Sequence, residues 1–279
     1  MIPVVFALLA LAPTATAEDL QALVERLRPS VVTLEARDLR GQRTGSGTGF
    51  FIAAEGLIAT NHHVAAMSPT SALLADGSRH EVLGLLMSDE TKDLAILRVE
   101  GGGYPALPLG AAILPARGDQ IVVIGSPLGL DQTVSEGIIS ALWPTGLPED
   151  QGGSVIPKCS LLQVSAPISP GSSGSPVLAR DGRVIGIAQS VTDVGFGSSA
   201  AFAVDVTELQ ALIARAPADG ALTPLQSPLR LMGWSLALVG AVVTAALGPS
   251  AWGWAKGGWA EGARRRRRGV RPGPPPPAP

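Results

Sequence analysis

From Ser30 onward the 279-residue chain breaks into short apolar runs separated by Gly, Pro, Asp and Ser. The runs are Val31–Leu34, Gly49–Ile52, Leu57–Thr60, Leu94–Val99, Ile121–Ile124, Gly137–Leu142, Leu161–Val164, Val184–Ile187 and Ala201–Val204. Each is too short for a typical helix and is bounded by turn formers, so each predicts a strand. Many short strands with turns between them predict an all-β barrel or sandwich. Helical spacing occurs only at the flanks. Leu20, Leu23, Val24 and Leu27 predict a helix over Glu18–Leu27, ended by Pro29, and Thr207–Ala214 predict a closing helix. The single cysteine, Cys159, excludes an internal disulfide, so packing must supply the stability. It is expected as a small buried hydrophobe.

The ends read differently. Residues 1–17 resemble a secretory signal peptide, with an apolar Val4–Leu11 stretch and an Ala15-Thr16-Ala17 cleavage site, although no Lys or Arg precedes Glu18. Residues 18–216 are the expected globular domain, and 217–228 a Pro-rich linker. Charged residues make up only 16% of the chain, and the mean hydropathy is +0.31, high enough to call for a membrane segment. Residues 229–250 fit one. Leu229–Gly248 is apolar apart from Arg230, Ser235 and Thr244, with Trp234 at one end and Trp252, Trp254 and Trp259 beyond the other. Lys256 and the Arg264–Arg268 run follow, in a basic and Pro-rich tail, 251–279. The positive-inside rule keeps that tail cytoplasmic and puts the β domain on the opposite side. A lipid bilayer is therefore an expected partner. The net charge of −2 gives no electrostatic case for nucleic acid.

Three segments carry chemistry. Thr60-Asn61-His62-His63-Val64 follows an expected strand, Asp93 opens the run Asp93-Leu94-Ala95-Ile96-Leu97, and Pro170-Gly171-Ser172-Ser173-Gly174-Ser175-Pro176 is a Gly-rich turn. Acyl transfer by a serine needs a base for the hydroxyl proton and a carboxylate to orient that base. It also needs hydrogen-bond donors for the developing oxyanion. The residue types alone leave His62 and His63 open as the base. Asp89 competes with Asp93, and Ser172 and Ser175 compete with Ser173.

Together with Gly45-Ser46-Gly47-Thr48-Gly49-Phe50 and Ala166-Pro167-Ile168-Ser169, these segments resemble the HtrA/Deg-type trypsin-like serine peptidases in content and order. The resemblance covers about residues 20–215. It implies two six-stranded β-barrels, over about Ser30–Gly102 and Ala116–Val204, with the site in the cleft between them. It selects His63 as general base, Asp93 as its orienting carboxylate and Ser173 as nucleophile, and leaves His62 a supporting role. The backbone N–H groups of Gly171 and Ser173 are the implied oxyanion hole. Protein or peptide substrates and a homo-oligomer, trimeric in the family, come with the resemblance. So does an extracytoplasmic setting, here a single-pass bacterial inner-membrane protein with its peptidase domain in the periplasm. The competing reading is a peptidase fold that has lost catalysis and acts as a binding or sensor protein.

Two positions depart from the family pattern. Ser175 stands where glycine is usual, which raises the question of a positive φ there. Ser172 stands where digestive relatives carry the aspartate that pairs with a new N-terminus, so activation by that ion pair is not expected. The implied substrate-binding residues are Pro167 and Ile168 at the pocket, and Ala188, Gln189 and Ser190 on the strand along the substrate backbone. No carboxylate lies between Ser165 and Ser172, so a small or medium apolar residue is expected before the cut. Residues 215–279 are too few for both a PDZ domain and the membrane segment, so no PDZ domain is expected. The three histidines and one cysteine lack metal-ligand spacing, and adjacent His62 and His63 would point apart in a strand, so neither a metal nor another cofactor is expected.

Overall fold

The computed structural model describes residues 19–110, 115–126, 132–147, 157–189 and 200–225. The expected signal peptide and the 229–250 segment lie outside these residues. Among the described residues no helix is long and apolar enough to cross a membrane.

Among the described residues twelve strands form two closed barrels, each of six strands. The first contains β1 (Val31–Arg37), β2 (Arg43–Ala53), β3 (Leu57–Thr60), β4 (Ser71–Leu73), β5 (Arg79–Asp89) and β6 (Leu94–Val99), closing in the order β1-β2-β3-β6-β5-β4. The second contains β7 (Gln120–Gly125), β8 (Thr133–Trp143), β9 (Leu161–Val164), β10 (Pro176–Ala179), β11 (Val184–Gln189) and β12 (Ala201–Asp205), in the order β10-β11-β12-β9-β8-β7. All pairings between these strands are antiparallel. Helix α1 (Leu20–Leu27) precedes the first barrel, α2 (His62–Ala66) follows β3, and α3 (Val206–Ala214) follows the second barrel. Asp205 caps α3 by accepting the Thr207 N–H at 2.8 Å.

The strands read as unbroken apolar runs because both of their faces are buried. One set of alternating residues fills the first barrel: Val32, Leu34, Phe51, Ile58, Ala95 and Leu97. The opposite set, Val31, Phe50, Ala59, Leu94 and Ile96, joins Val122, Ile124, Leu161, Leu178, Val184 and both flanking helices in a layer between the barrels. The second barrel is filled by Ile121, Val123, Ile139, Leu162, Val164 and Val177, among others. The continuous core between the barrels fixes their walls against each other, and the catalytic candidates sit where those walls meet.

All nine expected runs lie within strands, and three further strands, β4, β5 and β10, were not foreseen. The expected linker also differs. Thr223 exchanges two backbone hydrogen bonds with Leu85 of β5, at 2.7 and 2.9 Å, and Leu225 is buried in the first barrel's core. The first part of the Pro-rich stretch is thus a strap on β5, made possible because β4 pairs with only Arg79–Glu81 of that strand.

Candidate active site

Asp93 stands between β5 and β6 with φ of 51°, in the left-handed region that few residues other than glycine adopt. That turn aims its carboxylate at α2. Oδ1 accepts the backbone N–H of His63 at 2.9 Å, and Oδ2 lies 2.7 Å from His63 Nδ1. One carboxylate therefore satisfies a free N–H of the first helical turn and also orients the imidazole. Asn61 precedes the helix, but its side chain makes no cap; Nδ2 donates instead to the Asp93 carbonyl at 2.9 Å. Gly47 of β2 lets this helix sit close, because a Cβ there would strike both Val64 methyl groups. His63 is about half exposed and Asp93 largely buried, so the imidazole keeps an accessible edge.

The serine turn follows β9 and enters β10. Its own hydrogen bonds run from Ser172 N–H to Ser169 O, 2.9 Å, and from Ser175 N–H to Ser172 O, 3.0 Å. Gly174 N–H donates to Ala188 O at 2.9 Å, and Ala188 N–H donates to Ser175 O at 2.8 Å. The N–H groups of Gly171 and Ser173 donate to nothing among the described residues. Two backbone donors are thus left available on either side of Ser172, as an oxyanion would require. Gly171 and Gly174 have φ of 94° and 86°. Gly174 has no room for a side chain, since a Cβ would overlap Thr48 O and Thr60 Oγ1.

A buried hydroxyl network docks this turn on the first barrel. Thr48 N–H donates to Ser173 O at 2.8 Å, and Thr48 Oγ1 donates to Gly171 O at 2.8 Å. Thr60 Oγ1 donates to Thr48 O at 2.7 Å, and Ser126 N–H donates to Thr48 Oγ1 at 3.1 Å. Thr33 Oγ1 donates to Ser126 Oγ at 2.6 Å. Thr60 lies three residues before His63, so the network ties the serine turn to the segment that carries the histidine. Such an arrangement can take a proton from a hydroxyl, hold the resulting imidazolium against a carboxylate and stabilise an oxyanion.

A family described as a trypsin-like peptidase domain matches residues 47–187. The chain belongs to the trypsin-like peptidase family. The match takes in His63, Asp93 and Ser173 and runs from one barrel into the other. Similar family members include a probable periplasmic serine endoprotease, DegP-like, of Marinomonas sp. (strain MWYL1), 32% identical over 187 residues, 67% of this chain and 38% of the relative. The serine protease PepD of Mycobacterium tuberculosis (strain ATCC 25618 / H37Rv) is 34% identical over 192 residues, 65% of this chain and 41% of the relative. The chain thus spans about two fifths of the length of these curated relatives. The crystal structure of the serine endoprotease from Yersinia pestis superposes with a TM-score of 0.57 at 28% identity, covering 69% of this chain and 64% of that one.

Among the alternatives open in the sequence, His63 and not His62 pairs with Asp93; His62 Nδ1 is buried and bonded to nothing among the described residues. The two histidines lie on a helix, not in the strand expected for them, so about 100° per residue separates their side chains. Asp89 is turned the other way, toward Thr91, Lys92 and Arg215. Ser175 does not have a positive φ; the left-handed conformations of this turn fall on Gly171 and Gly174. Serine is therefore compatible with the backbone at 175. Its hydroxyl is fully buried, has no hydrogen-bond partner among the described residues, and packs where a Cβ on Gly125 would stand.

The substrate-binding residues fare unevenly. Pro167 is exposed and Ile168 half-buried beside the second barrel's core, while Ser190 lies outside the described residues. Ala188 is corrected: its N–H and C=O both bond the serine turn and its side chain is fully buried, so it supports that turn and offers nothing to a substrate backbone. Gln189 is also buried, in register with Phe202. Nothing in the sequence marks Thr33, Thr48, Thr60 or Ser126 for a role at the site. Thr48 and Thr60 lie inside the family-like motifs, but a hydroxyl that bonds across the two barrels has no local signature. Cys159 is buried, and burial pushes its thiol up to about 12, which keeps it protonated and unreactive. Among the described residues no three His, Cys, Asp or Glu side chains converge on a metal-sized site.

Proposed function

We propose that this chain is a serine endopeptidase that cleaves protein or peptide substrates through an acyl-enzyme. His63 takes the Ser173 proton as the hydroxyl attacks the scissile carbonyl, and returns a proton to the leaving amine. Asp93 fixes the imidazole and stabilises its cationic form, and the Gly171 and Ser173 N–H groups receive the oxyanion. Water then repeats the sequence on the ester. The observation that carries the reading is the 2.7 Å His63–Asp93 pair set beside a serine turn with two unengaged N–H donors. The names of the DegP-like and PepD relatives point to the same activity.

The proposal includes a preference for a small or medium apolar residue before the cut, from the absence of a carboxylate at 165–172. It also places the domain outside the cytoplasm, in agreement with the periplasmic naming of relatives. Residues 229–250 act as a single-pass anchor. The enzyme's substrates would be envelope proteins in need of processing or removal. The test is hydrolysis of an unfolded protein and a peptide library by the full chain in detergent. Cleavage abolished by Ser173→Ala, with most cuts after small or apolar residues, is the expected result. No cleavage under conditions in which a DegP-like relative cuts, or equal cleavage by Ser173→Ala, would end the proposal.

A further inference from the structure

The turn that presents Asp93 is fastened from the opposite side by a group the proposed chemistry does not use. The turn runs from Asp89, the last residue of β5, to Asp93, just before β6, and its Asp93 N–H donates to Glu90 O at 3.2 Å. Lys92, the neighbour of Asp93, reaches across to α3 and donates to Glu208 Oε2 at 2.5 Å. The other Glu208 oxygen accepts Ser160 N–H, just before β9, at 3.1 Å. Glu208 is thus bonded at once to the turn of the first barrel and to the residue that leads into β9 of the second. A second fastening lies at the other end of the turn. Asp89 Oδ1 accepts Thr91 Oγ1 at 2.7 Å and Lys92 N–H at 3.3 Å, while Oδ2 accepts Arg215, just past α3, at 2.9 Å.

The Lys92–Glu208 pair is better shielded than an ordinary surface ion pair, whereas Arg215 in the second fastening is 55% exposed. The Glu208, Lys92 and Asp89 side chains are 18%, 27% and 14% exposed. The hydrogen bond to Glu208 holds the Lys92 ammonium above its ordinary range. Burial pushes the Asp89 carboxyl up, but the bonds from Thr91, Arg215 and Lys92 outweigh it and leave a net lowering. Lys92 and Asp89 therefore stay charged across the neutral range. Next to Lys92 stands Asp93, a non-glycine residue in the left-handed region, a conformation that persists where its surroundings impose it.

We infer that Glu208 and Arg215, on and after the helix that closes the second barrel, are positioning residues for the Asp93–His63 pair, acting through Lys92 and Asp89. The first barrel supplies both members of the pair, and the C-terminal helix holds one of them in register. This rests on the reading of His63, Asp93 and Ser173 as a triad. The clamp is built from residues 116 and 126 positions apart in the chain.

The test uses the full chain with Glu208→Gln, Glu208→Ala, Arg215→Gln, Lys92→Met and Lys92→Arg. Arg180→Gln, which removes an ion pair to Glu136 on the second barrel, is the control. Two readouts are taken: kcat and KM on a peptide substrate, and the downfield proton resonance of the His63 Nδ1–H bonded to Asp93. Glu208→Gln, Arg215→Gln and Lys92→Met should lower kcat about tenfold to a hundredfold while KM stays within about twofold. In the same variants the downfield resonance should weaken or shift. Lys92→Arg, which keeps the cation, should retain about half the wild-type kcat or more, and Arg180→Gln should match wild type. If Glu208→Ala does not fold, the isosteric Glu208→Gln decides. Unchanged kcat and an unchanged resonance in folded Glu208→Gln and Arg215→Gln, or a loss confined to KM, overturn the inference. A wild-type chain that hydrolyses nothing condemns the triad reading instead, and the resonance still reports whether the clamp holds the pair.

Discussion

Replacing Thr48 by valine removes one hydroxyl and keeps the shape of a fully buried side chain. That hydroxyl bonds the Gly171 carbonyl and the Ser126 N–H, so both lose their partner at once. Orphaning the buried Ser126 N–H costs about 1–3 kcal/mol, and the part-buried Gly171 carbonyl adds about 1 kcal/mol. The expected loss of stability is about 2–4 kcal/mol. With a urea dependence of about 2–3 kcal/mol per molar for a domain of this size, the unfolding midpoint should fall by about 1 M. Catalysis should suffer as well, because the Gly171 carbonyl sets the orientation of its own peptide segment beside the oxyanion site. Outright loss of an oxyanion donor costs about 10²–10³ in kcat, and a loosened one should cost about tenfold. Thr48→Ser keeps the hydroxyl and gives up about one buried methyl, about 1 kcal/mol. It should stay close to wild type in kcat. Urea unfolding by tryptophan fluorescence, together with kcat and KM for wild type, Thr48→Val and Thr48→Ser, decides the matter. A valine variant within about 0.5 kcal/mol of wild type and equal to it in kcat would refute the assignment of this network to the serine turn.

Gly125→Ala should destabilise the domain by about 1–3 kcal/mol, because its methyl needs the space of the buried Ser175 hydroxyl. The double variant Gly125→Ala, Ser175→Gly should recover most of that loss in thermal unfolding, and purely additive losses would contradict the steric account. Glu35 offers a test in acid. Burial raises its carboxyl, but hydrogen bonds from Arg79 and Arg37, and their charges, outweigh burial and hold it below 4.5. Its stabilisation is complete above 4.5 and is lost as pH falls through the lower folded value, so the Tm difference between wild type and Glu35→Gln should shrink from pH 6 toward pH 3. A difference that stays constant over that range would show that the Glu35 charge does not matter. The full chain should stay in the membrane pellet after alkaline carbonate extraction, and a chain truncated after Leu225 should be released; release of both would exclude the anchor.

The barrels were legible where burial is two-sided. Runs such as Leu94–Val99 and Ile121–Ile124 stay apolar because one face fills a barrel and the other the layer between barrels. The strands that were missed lack that signal. β4 has three residues, and β5 is exposed or half-buried over most of its length and is broken by two bulges. β10 begins at a proline, which pattern reading assigns to the preceding turn. At the site, the family pattern singled out His63, Asp93 and Ser173, while the residues alone left each beside a competitor. The geometry then separated His63 from His62 and Asp93 from Asp89 by their hydrogen bonds. What stayed hidden depends on partners distant in sequence. Thr48 bonds Gly171 from 123 positions away, and Lys92 bonds Glu208 from 116. Ala188 was misassigned for the same reason, since its backbone partners on the serine turn are visible only once the barrel is closed.

The central claim is that the Ser173 hydroxyl is the activated nucleophile. It is tested most directly by treating the folded full chain with a fluorophosphonate and mapping the adduct by peptide mass spectrometry. A single phosphonyl adduct on Ser173, abolished by unfolding, by Ser173→Ala and by His63→Ala, is the predicted result. An adduct on Ser172 or Ser175, or none on a folded chain under conditions that label a DegP-like relative, would contradict it.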